Sequence, residues 1–311
     1  MTSAQAAALL FSPWGLAVLG LLIGSFLNVV VHRLPALLWR EWWQDSVEFQ
    51  LGDLRAWQPL FGTGAKPPPQ LAAAAAAVSE ALQKLPAETL LRPRSRCPKC
   101  GHVLRWYENL PVISWLLLRG RCSACKSRIS ARYPLVELVT AGLFAASSVV
   151  FGARPETLVW CLAVALLLCM ALIDLDTTLL PDSLTLPLIG LGVVASLAGW
   201  SGVAPAAAAA GAVAGYGVLW AVGWAYGQLR GVNAMAEGDM KMLAGIGALL
   251  GWQALPSALL LAAAVGAVVG VSLIAFRGHQ RSQAIPFGPY LALGGLCSIF
   301  FGEALRQVWQ L

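Results

Sequence analysis

The chain has 311 residues, of which 58% are hydrophobic and 12% charged, with a formal net charge of +6. Soluble globular domains carry about a quarter charged residues, so the composition excludes an ordinary soluble protein and points to a polytopic membrane protein.

Apolar stretches of about 18 or more residues with few charges read as transmembrane helices. Eight candidates follow in chain order: about 9–31, 134–152, 157–174, 183–201, 206–228, 240–253, 255–276 and 286–304. The expected fold class is an all-α polytopic membrane protein of about eight transmembrane helices, with a cytoplasmic zinc-binding module between the first two. The N-terminus lacks the basic region and small-residue cleavage site of a removable signal, so the first helix is expected to stay as an anchor. Three divisions follow: 1–35, 36–132 and 133–311.

The segment 36–91 holds the tract Pro67-Pro68-Pro69 and the run Ala72–Ala77. The proline tract reads as a stiff linker and "AAAAAAVSEALQKL" as one soluble helix. No chemistry is legible there. Residues 92–132 are different, with Arg92, Arg94, Arg96, Lys99, Arg105, Arg119, Arg121, Lys126, Arg128 and Arg132 against one acid, Glu108. The positive-inside rule makes this loop cytoplasmic. Orientation and anionic-lipid contact account for its charge, so no nucleic-acid partner is inferred.

Within that loop lie Cys97-x2-Cys100 and, 21 residues on, Cys122-x2-Cys125. Two such knuckles supply four thiolates for a tetrahedral zinc, and the interval slightly exceeds the usual ribbon range. Basic neighbours at Arg96, Lys99, Arg121 and Lys126 favour thiolates. Two disulfides compete, but a cytoplasmic loop sits in a reducing compartment. Metal-free thiols are the third option. Cys161, Cys169 and Cys297 stand singly in apolar helices and read as small buried hydrophobes.

Ionisable groups at membrane depth are costly and default to functional candidates. These are Glu137, Asp174, Asp176, Asp182, Glu237 and Asp239. Asp174 closes the third predicted span and Asp239 opens the sixth, both on the cytoplasmic side. Two carboxylates within a few Å cannot both ionise easily, so the pair would hold one proton while activating a water, which is aspartic-protease chemistry. Gly238 would let the backbone approach a substrate strand. Each acid also has a structural reading. Asp182 follows a proline and suits the first turn of a helix. Asp176 suits a solvated loop, and Glu137 a pairing with Arg132 or the cysteine module. For Asp174 and Asp239, a proton path or a structural ion pair competes with catalysis. Lys241 reads as facing another side of the helix, without a catalytic role.

Five stretches together resemble the prepilin peptidases, the type IV leader peptidase family of bacterial pilus and type II secretion systems: "GSFLNVVVHRLP", the tetracysteine segment 95–140, "IDLDTTLLPDSLTLPL", "GDMKMLAGIGALLGW" and "IPFGPYLALGG". The resemblance implies a membrane aspartic endopeptidase of the bacterial inner membrane. It would cut a basic leader from type IV prepilins or type II secretion pseudopilins on the cytoplasmic side. It would then N-methylate the new N-terminus using S-adenosylmethionine. Carried onto this chain, the catalytic pair is Asp174 and Asp239, and Cys97, Cys100, Cys122 and Cys125 bind zinc. Residues for S-adenosylmethionine stay unassigned. The chain departs from the family pattern at Ala236, where the first glycine of the GxGD motif is expected, and at Asn233, where a glutamate is usual. Rival readings are a peptidase without methyltransferase activity, a transporter with the aspartates in an ion path, and a membrane scaffold.

Overall fold

In the computed structural model a short helix, Ser3–Leu10 (α1), precedes a 40-residue one, Pro13–Gly52 (α2). Hydropathy fades after about residue 31, but the helix continues. The stretch from Leu37 to Glu48 is rich in Leu, Arg, Glu and Gln, all good helix formers, so helicity outlasts the apolar run with Pro35 inside it. The structure describes residues 3–52, 58, 62, 66, 68–231, 235–277 and 285–309, and Asn233 lies outside them.

The chain divides into two compact units. In Val29–Leu104, Arg33 of α2 donates to the carbonyls of Thr89 and Leu90, each at 3.1 Å, and of Pro93 at 2.9 Å. Arg40 donates to the Pro86 carbonyl at 2.7 Å. The expected soluble helix is Pro69–Gln83 (α3), opened by Pro69 in its first turn. The stretch before the cysteines, without a role in the sequence, is thus fastened by two arginines of α2.

The other unit is Met1–Asn28 with Arg105–Leu311. It holds a 3-10 turn, Trp106–Asn109, and the helices Ile113–Leu117 (α4), Arg132–Phe151 (α5), Thr157–Thr177 (α6), Asp182–Leu197 (α7), Pro205–Arg230 (α8), Glu237–Leu250 (α9), Leu255–Arg277 (α10) and Gly288–Trp309 (α11). Among the described residues there is no β-strand, only the isolated bridges Arg96–Val103 and Arg121–Arg128. The all-α polytopic class therefore holds, with a division that hydropathy did not show. Six described helices, α2, α5, α6, α8, α10 and α11, are long and apolar enough to cross a membrane. The fourth and sixth predicted spans are shorter. α7 has 16 residues and α9 has 14, about 24 and 21 Å at the α-helical rise, against a hydrocarbon core about 30 Å thick.

α9 is short because it is enclosed. Met242, Leu243, Ile246 and Leu249 are buried against Leu188 of α7, Leu219 of α8, Leu167 and Met170 of α6 and Leu291 of α11. The outward faces of the longer helices carry Leu162, Val213, Trp220 and Val268, which hydrocarbon accommodates and water does not. The chain is a multi-pass membrane protein.

α8 and α9 touch backbone to backbone. A methyl group at Gly211 would fall on the carbonyl of Gly247, and one at Gly247 on that of Gly211. Gly211→Ala is expected to cost about 1–3 kcal/mol, the range for overpacking a tight contact. Gly217→Ala, on the same helix with open space at that position, should be neutral or stabilising. Thermal midpoints of the two variants in one detergent check the contrast.

Candidate active site

α6 ends in a turn that exposes the next segment at a fixed angle. Thr178 takes a left-handed conformation, φ 53°, and its N–H bonds the Asp174 carbonyl at 2.8 Å. Asp174, one turn inside the helix end, is 5% exposed, and its Oδ2 accepts the Gly288 N–H at 2.9 Å from the first residue of α11. Asp239 lies in the first turn of α9, is 6% exposed, and its buried Oδ1 has no hydrogen-bond partner among the described residues. Leu180 lies against Gly238, the neighbour of Asp239, and against Gly288, the donor to Asp174. The two acids singled out by position are therefore brought together, from helices far apart in the chain.

The glycines around them explain the approach. A methyl group at Gly238 would meet the Leu180 Cβ at 2.5 Å and its carbonyl oxygen at 3.0 Å. The close approach expected at Gly238 is thus made by the chain's own Leu180. A methyl group at Gly288 would stand 2.7 Å from Asp174 Oδ2 and 3.1 Å from Leu180 Cδ1. Ala236, the departure from the glycine pattern, has φ −75° and ψ 140°, an extended conformation that any L-residue adopts. Its methyl group is harmless to the backbone.

Gly288→Ala is expected to lower turnover by about a hundredfold, because a misplacement on the 1 Å scale at a reacting group costs that much. Its folded yield should match wild type. Initial rates per folded protein decide it.

The neighbouring acids have found cations. Arg132 Nη1 lies 2.8 Å from Asp176 Oδ1, so the predicted solvated carboxylate is an ion-pair partner of the α5 start. Asp182, in the first turn of α7 as expected, pairs with Lys241 Nζ at 2.8 Å. Lys241 also reaches Glu237 Oε1 at 2.9 Å, so it is engaged at the site mouth. Glu137 does not pair with Arg132. Its Oε2 accepts the Val112 N–H at 2.7 Å. Val112, φ 58°, is a β-branched residue in a costly conformation, held by that buried carboxylate between the two cysteine pairs. Sequence reasoning missed the Lys241 contacts, although the Glu237–Lys241 spacing of four on a helix signalled half of them.

The cysteine pairs sit in two turns of the same design. The Cys97 N–H bonds the His102 carbonyl and the Gly101 N–H bonds Cys97 O, both at 2.9 Å. In the second turn Cys122 N–H bonds Ser127 O at 2.9 Å and Lys126 N–H bonds Cys122 O at 3.1 Å. Gly101 and Lys126, matching positions, both have positive φ. The 3-10 turn and α4 take up the longer interval between them. Sγ atoms of Cys97, Cys100, Cys122 and Cys125 all lie within 4.8 Å of one another. A zinc with bonds of about 2.3 Å requires sulfur–sulfur edges of just under 4 Å, so the set fits a metal ion. Cys161 and Cys169 are buried in α6, apart from this cluster.

Two family models match the chain, the bacterial peptidase A24 N-terminal domain over residues 18–151 and the type IV leader peptidase family over residues 161–271. Among curated proteins, the chain is 44% identical over 291 residues to a prepilin leader peptidase/N-methyltransferase of Aeromonas hydrophila, covering 94% of this chain and 91% of the relative. A protein of the same name from Burkholderia pseudomallei (strain 1026b) is 44% identical over 288 residues, covering 92% and 84%. One from Pseudomonas aeruginosa is 40% identical over 291 residues, covering 94% and 91%. No solved structure matches the chain. The two matched regions together take in the paired acids and the four cysteines, and the chain belongs to the type IV leader peptidase family.

Proposed function

We propose that this protein is a membrane aspartic endopeptidase that removes the leader of type IV prepilins or type II secretion pseudopilins and N-methylates the new N-terminus. One observation carries the first activity. Of five acids around one mouth, Asp176, Asp182 and Glu237 are paired with Arg132 or Lys241, while among the described residues the buried Asp174 and Asp239, on either side of Leu180, have no cation partner.

The roles follow from their hydrogen bonds. Asp174, whose carboxylate accepts the Gly288 N–H, is the base. It takes a proton from water as the water oxygen bonds to the scissile carbonyl carbon. Asp239, whose Oδ1 has no donor among the described residues, carries the shared proton and gives it to the carbonyl oxygen. The gem-diol intermediate collapses as the C–N bond breaks: the amine nitrogen takes the proton held by Asp174, and one gem-diol hydroxyl returns its proton to Asp239 as the carbonyl re-forms, which restores the singly protonated pair. Burial keeps the pair away from bulk water and strengthens each interaction.

The proposed divisions are 1–35, 36–132 and 133–311. The basic residues of 92–132 support a cytoplasmic orientation of the loop and of the catalytic mouth, in the inner membrane, with membrane lipid around the bundle. Cys97, Cys100, Cys122 and Cys125 would hold a structural zinc that closes two turns lacking an apolar core of their own. S-adenosylmethionine would supply the methyl group. The open cavity of about 440 Å³ beside Cys122 is walled by Arg119, Arg121 and Lys126. That cationic wall does not fit a sulfonium donor, so no residue is assigned to it.

The test is mass spectrometry of a prepilin incubated with the purified protein in detergent, with S-adenosylmethionine. Loss of the leader and gain of one methyl mass are the expected products. An intact authentic substrate would sink the peptidase reading.

A further inference from the structure

Lys241 occupies an unusual position. Its Nζ lies 2.8 and 2.9 Å from the two carboxylate oxygens of Asp182 and 2.9 Å from Glu237 Oε1. Its side chain is 19% exposed, whereas those of Asp182 and Glu237 are 56% and 66% exposed. Ion pairs this open to water add little to stability. Their placement is informative instead. Asp182 ends the turn that follows α6, the helix of Asp174, and Glu237 precedes Asp239 by two residues. Between Asp174 and Asp182, Leu180 lies against Gly238, the neighbour of Asp239, and against Gly288, the donor to Asp174. Lys241 therefore ties the turn leaving one member of the acid pair to the turn entering the other.

We infer that Lys241 is a positioning residue for the peptidase reaction, a clasp that holds the 178–182 turn down on α9 and so fixes the approach of Asp174 to Asp239. This rests on the assignment of those two aspartates to catalysis. With the clasp open, Leu180 is free to lift from Gly238 and Gly288, and the Asp174–Gly288 bond loses its backing. Substrate contacts are untouched, so the loss falls on kcat and not on KM. The arrangement on the opposite side is parallel. Arg132 ties the end of α6 to the start of α5 through Asp176 and reaches the Leu172 carbonyl at 3.5 Å, so α6 itself is anchored. The turn that follows it has Lys241 as its anchor.

The test is a double-mutant cycle on leader cleavage by the full-length protein in detergent, with Lys241→Met, Asp182→Asn and the pair combined. Wild type and Asp174→Asn run alongside. Each single change is expected to lower kcat by about tenfold, with KM and thermal midpoint little changed, since misplacement of a reacting group costs rate and not folding. The double variant should be no slower than the slower single, because both remove one interaction. A kcat for Lys241→Met within twofold of wild type would overturn the clasp. So would losses that multiply in the double variant, or a fall in midpoint that accounts for the lost activity. If wild type itself leaves the prepilin intact, the peptidase assignment has failed and not the clasp.

Discussion

Asp174→Asn and Asp239→Asn are each expected to reduce leader removal by about 10⁴-fold or more, and the two together should be no worse than either alone. Residues that act as one unit show this non-additivity, because the first loss already removes the reaction path. Asparagine is the right replacement. It keeps the shape of the side chain, and at position 174 its amide oxygen still accepts the Gly288 N–H that now bonds Oδ2 at 2.9 Å. What disappears is the capacity to take up a proton, so fold and folded yield should match wild type. At position 239 the change places an amide where Oδ1 has no partner among the described residues, and the proton that Asp239 is proposed to deliver to the carbonyl is gone. The same variants given a peptide that already lacks its leader should still add the methyl group, which separates the two chemistries in one mass spectrum. Asp176→Asn is the contrasting control. Its carboxylate pairs with Arg132 at 2.8 Å and has no part in the proposed proton transfers, so cleavage should persist within about tenfold, as for a partly exposed ion pair.

The acid pair was legible in the sequence because its cost was legible. A carboxylate at the end of an apolar run has to be compensated or used, and Asp174 and Asp239 stand at such ends. The identity of the compensating partners was not legible, since it depends on which helix starts meet. Asp176 finds Arg132, Asp182 finds Lys241, and Glu137 is satisfied by the Val112 N–H. Hydropathy likewise located the helices but not their roles. It marked α9 as the shortest span and a glycine-rich one, but not as the enclosed one that packing makes it, admitted by backbone contact at Gly211 and Gly247. The end of α2 was missed for a related reason. Apolarity reports the edge of the hydrocarbon, and the residues beyond it keep the helix going on propensity alone. The grouping of the four cysteines was legible, because a CxxC turn is a local structure that sequence spacing defines.

Replacing Cys97 or Cys122 with serine separates the two activities from the other side. Serine keeps the size of the side chain but offers a hydroxyl that stays protonated at neutral pH, a poor ligand beside three thiolates. Loss of a mere supporting contact to a metal ligand already costs about 10–100-fold in affinity, so removal of a ligand should leave the purified protein without stoichiometric zinc. Each turn is closed by two backbone hydrogen bonds, too few to hold the remaining sulfurs in register once the metal is gone. Methyl transfer is therefore expected to fall to background. Leader removal should stay within about tenfold of wild type, because Asp174 and Asp239 are held by α6, α9 and α11 through Gly288, Leu180 and the enclosed core of α9, a support that uses no cysteine. Metal analysis and the two product masses from one reaction decide it. Retention of methylation in a zinc-free Cys97→Ser protein would show that the cluster is structural ballast for the second activity. Loss of both activities together would instead mean that the segment from Arg105 to Arg132 presents the substrate to the aspartates, a role that the strained, buried attachment of Val112 to Glu137 is built to support.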